Sequence, residues 1–296
     1  MEHLLENVAP ADHDLVRSNA AWLTEAARHR AAPGEADRSA RVYQTLPATV
    51  AAIAPALDRD RLLLAVEYGL WTIARLDDDL DDPAATRPEL QSLAARVRGI
   101  TTGSTRPDPR DPFGTELASL WGRLQAYDTG GVARLVGSAL YEATLAGIAQ
   151  AAHSRRVALG DPAPTVENYL RVAGPAMNYR SFAWTLVLLA GDVAPAPVLS
   201  RWSRAMTSAS VAVRLANDLA SADRDRSEGR LNVLDLRDRA GEPMTADRTT
   251  RAITHRARRH LAALASTQAE APPPTLQILQ ACLRTSLTLY RVGDLR

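Results

Sequence analysis

The sequence of 296 residues contains no lysine, a single cysteine and no long hydrophobic run. Its strongly basic side chains are therefore all arginine, a bias typical of a GC-rich bacterial coding sequence rather than of a particular function. With Cys282 alone, the chain cannot form an intramolecular disulfide, which favours a reducing compartment. The longest apolar run, FAWTLVLLAG, is much shorter than the roughly 20 residues that a membrane-spanning helix needs.

Charge and terminal patterns exclude further classes of protein. The net charge of +1 gives no electrostatic argument for binding nucleic acid or an acidic partner. The first residues, MEHLLENVAPADHDL, lack a basic segment followed by an apolar one, so we expect no signal peptide. The six histidines are scattered without zinc-ligand spacing, and no Ser-His-Asp grouping is evident. We therefore expect a soluble, cytoplasmic protein.

Apolar residues recur at helical spacing along nearly the whole chain, and no window alternates with the period of a strand. This pattern predicts helices at 12–30, 38–56, 59–82, 86–101, 113–127, 131–157, 165–190, 194–226, 245–269 and 273–292. Turn-prone clusters such as TTGSTRPDPRDPFG separate them. Because both flanks of that linker are helical and no repeat is visible, we predict a single all-α domain spanning residues 1–296.

The segment LDDDLDD closes a strongly apolar predicted helix with five aspartates. Asp77, Asp78, Asp81 and Asp82 form a DDxxD pattern that can be read in two registers. On a helix, residues four apart lie one above the other, so this segment presents a broad acidic face. Acids at a helix C-terminus oppose the macrodipole by about 0.3–1 kcal/mol each. A hard cation such as magnesium would compensate for them, and a solvated helix end is the alternative.

A second polar stripe occurs in NDLASADRD. Asn217, Ser221 and Asp225 are spaced four residues apart and therefore share one face of a helix, where all three offer oxygen ligands. Arg224 returns to nearly the same face and carries a guanidinium suited to phosphate. The preceding apolar residues, SVAVRLA, indicate that Asn217 is buried, and an unpaired buried amide costs about 1–3 kcal/mol. The stripe therefore favours a binding role over an ordinary polar helix face.

Together these segments resemble the paired metal motifs of class I terpene synthases, namely DDxxD followed by ND(L/I/V)x(S/T)xx(K/R)(E/D). The second motif matches completely, through Asn217, Asp218, Leu219, Ser221, Arg224 and Asp225. The resemblance covers nearly the whole chain and implies the helical bundle of that family around a central apolar pocket. It also implies three magnesium ions, held by the aspartates of the first motif and by Asn217, Ser221 and Asp225. A homodimer is expected on the resemblance alone.

Other positions are carried over from the same resemblance. Arg171 precedes Asn217 by 46 residues, as the diphosphate-sensing arginine does in the family. Gly174 and Pro175 interrupt the helical pattern, as a break that directs a carbonyl into the pocket does there, although Gly174 replaces the usual acidic linker. A simple kink with a surface arginine is the alternative. Near the C-terminus the family has an Arg-Tyr pair that binds diphosphate. Here the order is reversed, as Tyr290 and Arg291.

The resemblance further implies an apolar pocket in which aromatic faces stabilise a carbocation. Candidates for its lining are large side chains near the motifs and the Gly-Pro break, namely Tyr43, Trp71, Met177, Tyr179, Phe182 and Trp184. A place in the ordinary core is the alternative for each of them.

The predicted function is the magnesium-dependent ionisation of a linear allylic diphosphate, followed by cyclisation of the carbocation to a terpene. The Gly-Pro break and the YRVGD ending resemble those of bacterial diterpene cyclases, so geranylgeranyl diphosphate is preferred over farnesyl diphosphate. A chain-elongating prenyl diphosphate synthase is one alternative, and a non-catalytic helical binding protein is another. On the cyclase hypothesis, replacing Asn217 or Asp78 by alanine should abolish turnover with little loss of folding.

Overall fold

The structure is a computed structural model that describes residues 1–31, 40–82, 85–192 and 194–292, with the backbone alone for Asp81. Its helices are α1 (Glu2–Leu5), α2 (His13–Arg30), α3 (Ala40–Ile53), α4 (Arg59–Leu70), α5 (Arg87–Thr101), α6 (Pro112–Gln125), α7 (Val132–Ala158), α8 (Val166–Ala176), α9 (Tyr179–Ala190), α10 (Ala196–Ser227), α11 (Ala246–Ala265) and α12 (Pro273–Val292). Within those ranges no β-strand occurs, and a single isolated bridge joins Arg237 and Pro243. The all-α prediction is confirmed.

The predicted start of a helix at residue 38 lies outside the described residues. The other predicted helix ends agree with the observed ones to within four residues, with one exception. The segment predicted as one helix over 165–190 is two helices, α8 and α9. Pro175 lies in the last turn of α8, which ends at Ala176, and Asn178 adopts a left-handed conformation with φ of 54°. The interruption therefore falls a few residues later than Gly174 and Pro175, because a proline in the final turn removes an amide without ending the helix at once.

The helix that carries the aspartates changes its winding before it reaches them. α4 begins at an N-cap, where the Asp58 carboxylate accepts a hydrogen bond from the Arg61 amide at 2.9 Å. It continues without interruption through a π-helical segment, Trp71–Leu76, into a last turn, Asp77–Asp81, which we call the acidic turn. A π segment inside a longer helix rotates the residues after it, and such segments are frequent at functional sites.

The core is built mainly around α9 and α10. α9 is buried along most of its length, and its Trp184 is fully buried. α10 packs against α8, α9, α11 and α12, while α7 packs against α5, α8 and α9. A central cavity of about 580 Å³ is lined by residues of the π segment, the acidic turn, α7, α8, α10 and α12, and of the short segments that follow α8 and α10. This arrangement places both sequence motifs at one cavity.

One described helix, α7, is long and apolar enough to cross a membrane when judged by length and composition alone. Only 44% of its most apolar window is buried, yet the helix packs against three neighbours and faces the central cavity. Core helices of helical proteins have the same length and composition, so this observation is weak evidence for a membrane span.

Candidate active site

The acidic turn brings one aspartate to the central cavity. Asp77 is half-buried and lines the cavity beside Ile73 and Leu80. Asp78 and Asp82 are exposed and do not line it. The Asp81 side chain, which was also predicted to bind metal, lies outside the described part of the structure. The DDxxD pattern can be read from Asp77 or from Asp78. The structure places the first aspartate of the reading from Asp77 at the cavity.

Two contacts with α7 hold the acidic turn in place. Gly147 of α7 faces Leu80 so closely that an added Cβ would lie 2.7 Å from a Leu80 methyl carbon. Arg155, which lines the cavity, donates hydrogen bonds to the carbonyl oxygens of Asp82 at 2.8 Å and Ala85 at 3.0 Å. Sequence reasoning missed both residues, because their role depends on a helix that lies far away along the chain.

The second motif lies on α10, facing the acidic turn across the cavity. Asn217, Arg224 and Asp225 line the cavity, whereas Ser221 is buried behind them. The Ser221 hydroxyl lies 2.6 Å from Oδ2 of Asp225 and 2.9 Å from the carbonyl oxygen of Asn217. The four-residue spacing thus places the three predicted ligands on one helix face, as expected from the helical period.

Asn232, in the segment after α10, supports this motif from behind. Its Nδ2 donates to Oδ2 of Asp225 at 2.9 Å and to the carbonyl oxygen of Asp218 at 2.8 Å. The side chain is buried, with 1% of its surface exposed. A hydrogen bond of this kind orients a ligating carboxylate and is often as important as the ligand itself. Sequence reasoning missed Asn232, since nothing in the sequence shows that the chain folds back onto α10.

A buried ion pair lies one turn before Asn217. Nη2 of Arg214 contacts Oδ1 of Asp218 at 2.6 Å and donates to the Tyr169 hydroxyl at 2.5 Å, and Tyr169 donates in turn to Asp218 at 3.0 Å. Arg214 lines the cavity, and its Nε is buried without a hydrogen-bond partner among the described residues. The sequence contained a signal for this residue, namely an arginine within the apolar run SVAVRLA.

Burial shapes the ionisation of this pair. Burial lowers the pKa of Arg214, but the facing Asp218 carboxylate more than offsets that and holds the pKa above its ordinary value. Burial raises the pKa of Asp218 to about 6, with Arg214 opposing the rise. Both groups are therefore charged at neutral pH, and the guanidinium is a permanent cation in the cavity wall.

The predicted diphosphate-binding residues separate into two groups. Tyr290 and Arg224 line the central cavity. Arg291 is exposed and donates to the Thr288 hydroxyl at 3.0 Å. Arg171 is exposed and lines a second cavity instead, so the structure does not bring it to the aspartates or to Asn217. Its spacing in the sequence is that of the family, but its side of α8 faces away from the central cavity.

The helix interruption contributes Ala176 and Met177 to the cavity wall. Gly174, which was predicted to contact substrate, is buried one turn earlier against α10 instead. Its carbonyl oxygen accepts a hydrogen bond from the Ser210 hydroxyl at 2.6 Å, and an added Cβ would lie 2.8 Å from a methyl carbon of Val211. Glycine is therefore explained here by close helix packing.

Most of the predicted aromatic lining belongs to the surrounding core. Trp71 packs on Phe113 with ring centroids 5.1 Å apart, on the side of the bundle formed by α6. Trp184 is fully buried within α9. Tyr43, Tyr179 and Phe182 do not line the cavity either. Of the predicted lining, Met177 alone reaches this cavity among the described residues, where Ile73, Leu80 and Leu231 provide the other large apolar surfaces.

The cavity combines oxygen ligands with guanidinium groups. Asp77 lies on one side and Asn217 and Asp225 on the other, and within the described residues no three His, Cys, Asp or Glu side chains converge on one point. The donors are carboxylate, amide and hydroxyl oxygens, which match a hard divalent cation such as magnesium and do not match zinc or copper. The cavity is also lined by four arginines, which suit a phosphate group, namely Arg155, Arg214, Arg224 and Arg230.

Comparisons with known proteins agree with this geometry. The family model described as terpene synthase family 2, C-terminal metal binding, matches residues 70–236, a span that contains both motifs. No curated protein sequence matches the chain. The crystal structure of 2-methylisoborneol synthase from Streptomyces coelicolor A3(2), in complex with Mg2+ and 2-fluoroneryl diphosphate, superposes with a TM-score of 0.72 at 17% identity, covering 93% of this chain and 90% of that one.

Two further structures are similar. SVS_A2, a protein from ancestral sequence reconstruction, has a TM-score of 0.70 at 22% identity, covering 95% of this chain and 86% of that one. Wild-type cucumene synthase has a TM-score of 0.60 at 17% identity, and the superposition covers 88% of this chain and 97% of that one. At such identities these similarities establish the fold alone.

An all-α bundle with two oxygen-rich motifs facing each other across a cavity defines the class I terpenoid synthase architecture. Because the family model matches more than half of the sequence, the chain belongs to terpene synthase family 2. It is an enzyme of the lyase class, a terpene cyclase.

Proposed function

We propose that the chain, as one domain of residues 1–296, ionises a linear allylic isoprenoid diphosphate and cyclises the resulting carbocation to a terpene. The supporting observation is the central cavity, which is lined by Asp77, Asn217 and Asp225 together with the guanidinium groups of Arg214 and Arg224. In the reaction the allylic carbon–oxygen bond breaks, its electron pair leaves with diphosphate, and the cation is consumed by ring closure. No protein nucleophile is needed for this chemistry.

Asp77, Asn217, Ser221 and Asp225 are the residues that would hold magnesium, with three ions expected. When bound, magnesium supplies Lewis-acid stabilisation of the leaving diphosphate. The hydrogen bond from Asn232 keeps the Asp225 carboxylate turned toward the cavity side of α10. The exposed aspartates, Asp78 and Asp82, would contribute charge to the rim rather than direct ligands.

The arginines would stabilise negative charge on the departing diphosphate. Arg214 takes the role that the sequence resemblance assigned to Arg171, because its guanidinium lines the cavity and has an unused Nε donor among the described residues. Arg224 and Tyr290 line the same cavity and would add further donors. Such preorganised donors are worth most where water is excluded. Ile73 and Met177 would provide part of the apolar wall around the hydrocarbon chain.

We propose geranylgeranyl diphosphate as the substrate in preference to farnesyl diphosphate. We expect purified protein with geranylgeranyl diphosphate and magnesium to give a cyclic hydrocarbon or alcohol in gas chromatography–mass spectrometry, and nothing with EDTA. Parallel incubations with the C10, C15 and C25 diphosphates test the preference. Longer diphosphates that form only with added isopentenyl diphosphate would identify an elongating enzyme. Complete inactivity of folded protein would favour a binding protein.

Replacing Asn232 by alanine should weaken magnesium binding without removing any proposed ligand. We expect the magnesium concentration for half-maximal turnover to rise by about tenfold or more, as is usual when the hydrogen-bond partner that orients a metal ligand is lost. The measurement is turnover against magnesium concentration. Asn7→Ala is the matched control, because its amide donates to Thr288 and lies outside the central cavity lining. An unchanged magnesium dependence in Asn232→Ala would contradict the supporting role.

A further inference from the structure

We propose that the second cavity, on the outer side of α8 and α10, binds an anionic amphiphile, that is, a phosphate or diphosphate head group carried on an apolar chain. This cavity has a volume of about 510 Å³, within the range of about 300–1,000 Å³ that is usual for small-molecule sites. It shares no lining residue with the central cavity. No part of the cyclase proposal uses it.

The head group would be held by guanidinium groups that have no anionic partner in the described part of the chain. Arg171 of α8 and Arg256 of α11 both line this cavity, and neither forms an ion pair within the described residues. Arg171 donates a hydrogen bond to the amide oxygen of Asn168, at 3.2 Å. Arg256 is half-buried, and burial together with nearby Arg259 lowers its pKa. An anion between Arg171 and Arg256 would compensate the buried charge of Arg256 and weaken its repulsion by Arg259.

The acidic residues of the same cavity do not neutralise the positive charge of Arg171 and Arg256. Arg248 also lines the cavity, but its guanidinium is already paired with Asp238. Glu167 is exposed at the rim and forms no ion pair among the described residues. The two unpaired guanidiniums therefore face one screened carboxylate, and the net charge of the cavity remains positive.

The remaining lining is apolar and indicates that the ligand has a hydrocarbon part. Leu170 and Val211 form one wall, on α8 and α10, while Met244 and Ala252 close the opposite side. A small inorganic anion would leave this surface exposed to water, whereas an apolar chain would bury it, at about 25 cal/mol per Å². Phosphate recognition by arginine needs no metal, so this site is predicted to act in its absence.

The test is calorimetric binding of dodecyl phosphate in EDTA, which removes any metal contribution at the central cavity but leaves the arginines of that cavity in place. Dependence of binding on Arg171 and Arg256 is therefore what assigns it to the second cavity. We expect wild type and Asn217→Ala to bind equally, and the double variant Arg171→Gln, Arg256→Gln to lose at least about tenfold in affinity, since each charge-assisted hydrogen bond contributes strongly. Arg251→Gln is the matched control, because Arg251 is an exposed arginine of α11 outside the cavity. Glu167→Gln should bind more tightly than wild type, which tests the site without removing a donor.

Several results would overturn the proposal. These are an absence of binding in EDTA, loss of binding in Asn217→Ala, or an equal loss in Arg251→Gln. Sedimentation with phosphatidylcholine vesicles that contain phosphatidic acid distinguishes the sources. Arg256-dependent vesicle binding assigns the site to lipid head groups, and binding of monomeric dodecyl phosphate alone assigns it to soluble prenyl-like phosphates. The measured quantity is binding and not turnover, so a negative result for the second cavity would leave the cyclase proposal unaffected, and the reverse also holds.

Discussion

Replacing Asp77 by asparagine should lower kcat/KM for the diphosphate substrate by about a thousandfold, equivalent to about 4 kcal/mol of transition-state stabilisation. Asp77 is the aspartate of the acidic turn that lines the cavity opposite Asn217 and Asp225. Asparagine keeps the shape and one oxygen but removes the charge that a divalent cation needs. Because Asp77 is only half-buried and lies in a helical turn, the fold should be retained, and circular dichroism with thermal unfolding checks this.

Asp78→Asn is the matched control for this change, since Asp78 is adjacent, chemically identical and exposed outside the cavity lining. We expect its turnover to fall by less than about fivefold, as for a rim charge that is screened by solvent. Asn217→Ala should match Asp77→Asn in severity. If Asp78→Asn were the more damaging of the two aspartate variants, the metal would be bound through the other register of the DDxxD pattern. The structural reading of the acidic turn would then be wrong.

The contrast between Asp77 and Asp78 shows where sequence reasoning reached its limit. Helical spacing predicted the acidic face and the stripe of Asn217, Ser221 and Asp225, because the helical period alone decides which residues of one helix share a face. It left the register of the aspartates open. The π segment Trp71–Leu76 lies directly before the aspartates, and a change of winding of this kind rotates the residues after it in a way that a regular helical period does not predict.

Arg171 illustrates a second limit. The number of residues between Arg171 and Asn217 resembles that of the family, but the orientation of a side chain about the axis of α8 decides which cavity it reaches. Arg171 and Pro175 are four residues apart, so they share one helix face, and both line the second cavity. Ala176 and Met177 follow at the end of the helix and line the central cavity. The helix remains regular through Pro175, and this places Arg171 on the outer face.

Replacing Arg214 by methionine should both destabilise the protein and impair catalysis. The change leaves the Asp218 carboxylate fully buried, with hydrogen bonds from Tyr169 and from the Val233 amide but without its cation. Removing one partner of a buried ion pair typically costs about 3–5 kcal/mol. The free energy of unfolding, measured by urea denaturation, should fall by that amount. Turnover should fall as well, because the cavity loses a guanidinium that we propose stabilises the leaving diphosphate.

The double variant Arg214→Met, Asp218→Asn separates the two effects. Neutralising Asp218 removes the uncompensated charge, while an asparagine side chain can still accept the hydrogen bond from Tyr169. We therefore expect most of the lost stability to return, so that the double variant is more stable than Arg214→Met alone, as coupled partners in a mutant cycle show. Turnover should remain low, since no guanidinium is restored to the cavity. A double variant that regained both stability and turnover would show that Arg214 acts only through the fold, and Arg224 would then be the main cationic donor of the α10 motif.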